Sequence, residues 1–326
     1  MRQAIFSFLV GAILPTAVLG QEDFRFWLRP EFGQQSSRGT FTTDGYFRQG
    51  TSQKNAKLQM TRFDLRGSVP VFQNDRDEWL VTGGVKLLDI DTGARLQRES
   101  SAFPGHLWDV SAGLAYRHKF ENGWIAGGHF SLGSASDEPF ASGDEIVVSA
   151  TGFVRIPDGE SNAWLFFLNY FNNRQFLPNV PIPGFGYEIN AGSNFSALAG
   201  VPFTWVRWEP IERLSLEASY ILPRRVRAEI GYRILESLKV YAGYAWDNER
   251  FLRHNRSDHD DRLFYFEQRV SAGVRWDILD SVWLDFSGGF AFDRFFFEGE
   301  DYGDRGNNRL NVGDSPFLML QVGVGL

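Results

Sequence analysis

The stretch Ser281-Val-Trp-Leu-Asp-Phe-Ser-Gly-Gly-Phe-Ala-Phe-Asp293 divides with period two. Val282, Leu284, Phe286, Phe290 and Phe292 fall on one face, and Asp285, Ser287, Gly289, Ala291 and Asp293 on the other. A helical period would scatter both sets around the axis, so this is a strand with one apolar and one polar face. The pattern repeats over 225–234, where Val226, Ala228, Ile230, Tyr232 and Ile234 oppose Arg225, Arg227, Glu229, Gly231 and Arg233. It recurs over 262–277, with Phe264, Phe266, Val270, Ala272, Val274 and Trp276 against Tyr265, Glu267, Arg269, Ser271, Gly273, Arg275 and Asp277. Earlier copies set Arg62, Asp64 and Arg66 against Phe63, Leu65 and Val69, and Asp109, Ser111 and Arg117 against Trp108, Val110, Leu114 and Tyr116.

Period-two segments of about ten residues run from Phe24 to the last residue. Such strands match the height of a tilted transmembrane strand, whereas soluble strands are about half as long. Short connections at 74–77, 121–123, 158–161, 210–212, 236–237 and 279–280 alternate with stretches at 34–55, 91–105, 134–144, 172–194, 248–261 and 299–314. The tight 223–224 turn breaks that alternation. Trp79, Trp124, Trp164 and Trp276 stand beside the short turns, where an aromatic girdle would meet one headgroup layer. The expectation is an all-β, single antiparallel transmembrane β-barrel of about fourteen strands, within a range of twelve to sixteen. Sixteen follow if 183–190 forms an extra strand and Pro202 marks a turn.

Composition narrows the class. Residues 1–20 carry Arg2 and an apolar run from Ala4 to Val18, which reads as an export signal cleaved before Gln21, leaving 21–326 as one barrel domain. The chain holds no cysteine, which excludes disulfides, thiolate metal sites and a lipid-anchored N-terminus. Beyond the signal no apolar run is long enough for a spanning helix, and the mean hydropathy of -0.26 is low for a helical membrane protein. With 31 Phe, 10 Trp and 34 Gly the composition suits pleated strands. A net charge of -7 argues against a nucleic-acid partner.

The final segment, Phe317-Leu-Met-Leu-Gln-Val-Gly-Val-Gly-Leu326, resembles the terminal strand that the outer-membrane assembly machinery recognises in bacterial barrels, though it ends in Leu326 where those commonly end in Phe. The mature chain as a whole resembles outer-membrane barrel proteins. Within 198–294, Ala-Gly-Val-Pro (199–202), Ser-Tyr-Ile-Leu-Pro (219–223) and Gly-Gly-Phe-Ala-Phe-Asp-Arg (288–294) are similar to barrels classified only as a domain of unknown function. The resemblance implies an outer-membrane location among lipid and lipopolysaccharide, and assembly through the C-terminal strand. It brings no catalytic residues and leaves the oligomeric state open.

If the apolar face meets lipid, the polar face lines a lumen. There the sequence places Arg62, Asp64, Arg66, Asp109, Arg117, Arg227, Glu229, Arg233, Glu267, Arg269, Arg275 and Asp285, together with Arg155, Arg225, Glu217 and Asp293. Two readings compete: a charged constriction passing small anionic or zwitterionic solutes, or a cross-strand ion-pair lattice that fills the lumen. Oxygen-rich stretches at 254–261 and 301–314 lack an ordered ligand spacing, so no metal or other cofactor is expected. His129 and Ser131 share a strand face, but residues two apart sit nearly 7 Å apart at the backbone. No enzyme is therefore expected. The loop 172–194, with Phe176, Pro178, Pro181, Pro183, Phe185 and Tyr187, suits surface binding, a plug or strand ends.

Overall fold

Alternation of apolar and polar side chains carries along the chain as antiparallel strands, each paired with the next. The computed structural model describes residues 29–96, 101–222, 225–306 and 308–325; the export segment 1–20, the 223–224 turn and Leu326 lie outside them. The first strands are β1 (Arg38–Gly50), β2 (Lys57–Gln73), β3 (Asp77–Thr92), β4 (His106–Lys119), β5 (Ile125–Ser136) and β6 (Ile146–Asp158). Six more follow: β7 (Asn162–Phe171), β8 (Ile182–Asn190), β9 (Phe195–Val201), β10 (Phe203–Ile211), β11 (Leu214–Ile221) and β12 (Arg225–Leu235). The chain finishes with β13 (Leu238–Phe251), β14 (Arg262–Leu279), β15 (Val282–Gly299), β16 (Leu310–Val312) and β17 (Ser315–Gly325). β15 pairs with β17 and β17 with β1, so the sheet closes on itself. The three-residue β16 only extends the top of β15. Sixteen strands therefore form the wall.

Sixteen, not fourteen, is the count because 172–194 is not one loop. β8 is made from it, and the segment after it is divided at Pro202 into β9 and β10. Pro183 is tolerated because it stands second in β8, where a missing N–H costs little of the ladder. A second correction concerns the start. The first wall strand begins at Arg38, so 34–55 is no long loop, and the β1–β2 connection is only 51–56. The third concerns Asp293. A bulge shifts the β14–β15 register between Phe266 and Gln268, and Asp293 takes a left-handed φ of 47°. Asp293 is thereby turned outward to Arg309, while Arg294 and Phe296 face in.

Elsewhere the two faces fall as the alternation dictates. Asp285 is 0% exposed and its neighbour Phe286 55%. Phe63, Leu65, Val81, Leu114, Phe130, Phe166, Ile230, Val270 and Leu318 likewise stand exposed on the outer face. At the short-turn end Trp79, Trp124, Trp164 and Trp276 are exposed and joined by Trp208. Trp79 stacks beside Tyr116 and Trp164 beside Tyr187, at ring-centroid distances of 4.4 and 4.7 Å.

The wall is uneven. β14 and β15 have 18 residues each, β9 only 7 and β11 only 8. At roughly 3.3 Å per residue, that is about 60 Å of strand on one flank against about 25 Å on the other. The tall flank does not stand free. Leu263, Tyr265 and Phe296 bury one face of its upper part against Tyr46, Leu58, Met60, Leu88, Ile90 and Leu107 of β1–β4. Phe264, Phe266, Phe295 and Phe297 bury the other among themselves and Tyr302, with Phe264 and Phe297 stacked at 4.6 Å. A strand pair covered on both faces has left the wall and lies packed over the mouth.

Candidate functional site

The polar face of the strands meets in the lumen, and mid-way along it the ion pairs reach across the barrel. Arg62 of β2 bonds Asp44 of β1 at 2.8 Å and Glu267 of β14 at 3.1 Å, and contacts Glu249 of β13 at 3.2 Å. Lys86 of β3 lies 3.4 Å from Glu249. Arg269 reaches Asp44 at 2.9 Å and Asp247 at 3.3 Å, while Arg227 grips both oxygens of Asp247 at 2.8 and 2.9 Å. The Tyr46 and Tyr265 hydroxyls both donate to Glu267 at 2.9 Å. Asp64 is held in a two-pronged bond by Arg66, and Asp109 stands opposite Lys86 in the β3–β4 ladder. Charge-assisted bonds of this length in a buried setting are strong and directional.

Arg225 reaches the same Asp247 at 3.6 Å, and the other predicted lumen residues are paired elsewhere. Glu229 pairs with Lys239 at 2.5 Å, Arg233 with Asp277 at 3.4 Å, and Asp285 accepts from the Tyr241 hydroxyl at 2.7 Å. Arg275 lies over the Trp283 ring at 4.0 Å. These form a second cluster toward the short-turn end of β12–β15. Arg155 pairs with Glu188, and Glu217 lies near Arg207. Sequence reasoning missed Asp44, Lys86, Asp247 and Glu249. Lys86 is legible from its alternation with Val85 and Leu87; Asp44 is not, because reading 34–55 as a long connection hides its strand.

Arg117 belongs to a third place. It bonds Glu78 at 2.5 Å, donates to the Arg29 and Glu31 carbonyls at 2.6 and 2.7 Å, and lies 4.2 Å from the Phe32 ring. Glu78 also accepts from the Gly33 amide at 2.7 Å and from Gln35 Nε2 at 3.0 Å. Residues 29–37 therefore enter the lumen at the short-turn end, and Phe32 packs with Leu80, Ala115, Ile125 and Phe153.

At the opposite end the β13–β14 connection, 252–261, crosses the mouth. The Leu252 amide donates to the Ala135 carbonyl of β5 at 2.6 Å, and the His254 amide to Asp137 at 2.7 Å. β5 and β13 are eight strands apart either way round, so this contact spans the ring. His254 Nδ1 meets Glu145 at 3.1 Å, and Arg256 donates to the Asp144 carbonyl at 2.9 Å. Glu145 in turn accepts from the Ser142 amide. Its burial works against ionisation, but the bonds from Ser142 and His254 hold its carboxyl below the usual carboxylate range. A carboxyl lowered on folding stabilises the closed form above its ordinary range and loses that contribution as pH falls through the lowered value. Hydrogen-exchange protection of 252–256, corrected for intrinsic rates, is expected to hold from neutral pH down through the ordinary carboxylate range and to decline only below it.

His129, the histidine weighed beside Ser131, bonds Thr82 Oγ1 through Nε2 at 3.0 Å. Among the described residues no three His, Cys, Asp or Glu side chains gather as a metal-ligand set, the oxygen-rich outer connections included.

No family model matches the sequence, and no curated protein matches it. Solved structures similar to it include an outer membrane channel, COG4313, from Pseudomonas putida F1, at 12% identity and a TM-score of 0.38, with 90% of this chain and 96% of that one covered. OccK7 (OpdD) of Pseudomonas aeruginosa is similar at 11% identity and a TM-score of 0.40, covering 89% and 100%. The beta domain of the Bordetella autotransporter BrkA gives 10%, 0.32, 90% and 100%. The chain is an all-β closed barrel, loosely similar to bacterial outer-membrane barrels.

Proposed function

We propose that the protein sits in an outer membrane as a gated route for small polar solutes, shut in the conformation described. The exposed apolar belt, rimmed by tryptophans at one end, supports the membrane setting, since such a surface in water would drive aggregation. The observation that carries the route is the wall itself. Sixteen strands enclose a lumen of the size that holds an aqueous channel in porins. Here that space is occupied by three closures: residues 29–37, the mid-lumen ion pairs and the 252–261 crossing. Two of the three are chain segments held largely by hydrogen bonds and ion pairs, which can be exchanged for water.

A second reading, a permanently closed structural or surface-binding barrel, draws on the apolar cluster beneath the crossing, where Leu58, Met60, Leu88 and Phe296 are nearly inaccessible. Single-channel recording in planar bilayers separates the two. The wild-type chain is expected to give rare, brief openings. The His254→Ala/Arg256→Ala variant is expected to raise the open fraction at least about tenfold, the equivalent of about 1.4 kcal/mol off the closed state. Silence from both proteins, each shown to be folded by gel mobility, would leave the structural reading.

A further inference from the structure

The wall side chains that hold residues 29–37 bond mainly to the main chain of that segment. Arg117 donates to the Arg29 and Glu31 carbonyls at 2.6 and 2.7 Å, and Lys119 to the Pro30 carbonyl at 3.1 Å. Glu78 accepts from the Gly33 amide at 2.7 Å. Gln73 grips Gln35 by its amide at 2.8 Å and its carbonyl at 3.1 Å, as a neighbouring strand would. These six bonds ask nothing of the segment's side chains. Glu78 adds a bond to Gln35 Nε2 at 3.0 Å. The apolar anchor is Phe32, buried with Leu80, Ala115, Ile125 and Phe153 and lying 4.2 Å from the Arg117 guanidinium.

The holding groups stand on the wall, not on the segment. Gln73 ends β2, Glu78 lies in β3, and Arg117 and Lys119 finish β4. Glu78 and Arg117 bond each other at 2.5 Å, which ties β3 to β4 independently of the segment. Main-chain bonds with one aromatic anchor, offered by rigid strands, are what peptide recognition requires. We infer that the short-turn end of β2–β4 is a binding site for a short peptide carrying an aromatic residue followed by glycine, with residues 29–37 as its tethered occupant. Glycine is specified because Gly33 takes a left-handed φ of 72°. The tether keeps the occupant at a high effective concentration, so a competing peptide must bind better or find the segment unseated. Such a peptide arrives free, as a solute entering the lumen, or as an exposed segment of another protein. The inference stands apart from the proposed route, since binding is measured without transport.

The test titrates the folded full chain in detergent micelles with a fluorescent peptide of residues 29–37, Arg-Pro-Glu-Phe-Gly-Gln-Gln-Ser-Ser, and reads anisotropy. The receptor is the Phe32→Ala/Gly33→Pro variant, which takes the anchor and the Glu78 bond from the tethered segment and leaves the wall strands, β1 onward, unchanged. It is expected to bind the peptide saturably, at least about tenfold more tightly than wild type, whose own segment competes. A peptide carrying Phe32→Ala should bind at least about tenfold more weakly. One carrying Gln34→Ala should bind equally well, since Gln34 is exposed and outside these bonds. Adding Gln73→Ala to the receptor should cost at least about fivefold. The same peptide fused to a folded carrier too bulky for the lumen separates the sources: if the carrier binds, the site takes a segment of a partner protein, and if the free peptide alone binds, it takes a solute. The inference is overturned if the folded variant does not bind the free peptide, or if binding is indifferent to either the Phe32→Ala peptide or the Gln73→Ala receptor.

Discussion

Glu267→Ala is expected to destabilise the folded barrel by about 3–5 kcal/mol, the range found when one partner of a buried ion pair is removed. Glu267 is 1% exposed and sits where three elements meet. It accepts from Arg62 Nη2, from the Tyr46 hydroxyl on β1 and from the Tyr265 hydroxyl on its own strand, and lies 3.6 Å from Arg269. Its loss would leave Arg62 with Asp44 and Glu249 and Arg269 with Asp44 and Asp247, and would strip the Tyr265 hydroxyl of its acceptor while Tyr46 keeps Asp44 at 3.0 Å. Glu267→Gln keeps an acceptor for one or two of those donors but no charge, so a smaller loss, about half, is expected. Urea unfolding of protein in lipid vesicles, read from the mobility difference between folded and heated chains, gives both values. A loss below about 1 kcal/mol for the alanine variant would mean that water enters the lumen and screens the lattice, as it does for exposed pairs.

What was legible in the sequence follows from which forces act locally. Alternation is local, so the faces of β12, β14 and the lower part of β15 were read residue by residue, and Arg62, Asp64, Arg227, Glu267, Arg269 and Asp285 were placed in the lumen from parity alone. The strands that were misread are those in which a residue type argues against its own setting. β8 contains Pro183, Gly184 and Gly186, three residues poor in strand propensity, and is held by its neighbours β7 and β9. Asp293 continues a parity that the bulge interrupts, and nothing in Phe-Asp-Arg announces a left-handed residue. The pairings themselves were out of reach. Glu145 and His254 are 109 residues apart, and Arg62 and Glu267 are 205 apart; only the closure of the ring brings them together. Parity therefore says that a side chain faces the lumen, whereas barrel geometry decides whether it meets water or its opposite charge.

Residues 29–37 show the same limit most sharply, since the period-two pattern that starts at Phe24 predicts a strand where none forms, and their place depends on Glu78 and Arg117. Glu78→Ala is expected to release the segment. The carboxylate is fully buried and joins three groups: the Gly33 amide, the Gln35 side chain and Arg117. Removing it takes from the buried Arg117 guanidinium the carboxylate it bonds at 2.5 Å, at a cost of about 3–5 kcal/mol. That exceeds what the Phe32 contacts, about 2 kcal/mol of apolar burial, can hold in place. The local opening of 29–37 should then come to dominate hydrogen exchange, and the Gly33 amide is expected to exchange at least about a hundredfold faster than in wild type. Amides in the centres of β3 and β4 should change much less, because their ladder bonds remain. If those central amides also lose protection in parallel with Gly33, Glu78 supports the wall and not the segment. If Gly33 stays protected, the Gln35 amide bond to the Gln73 side chain, at 2.8 Å, together with Phe32, is enough to keep that end of the lumen filled.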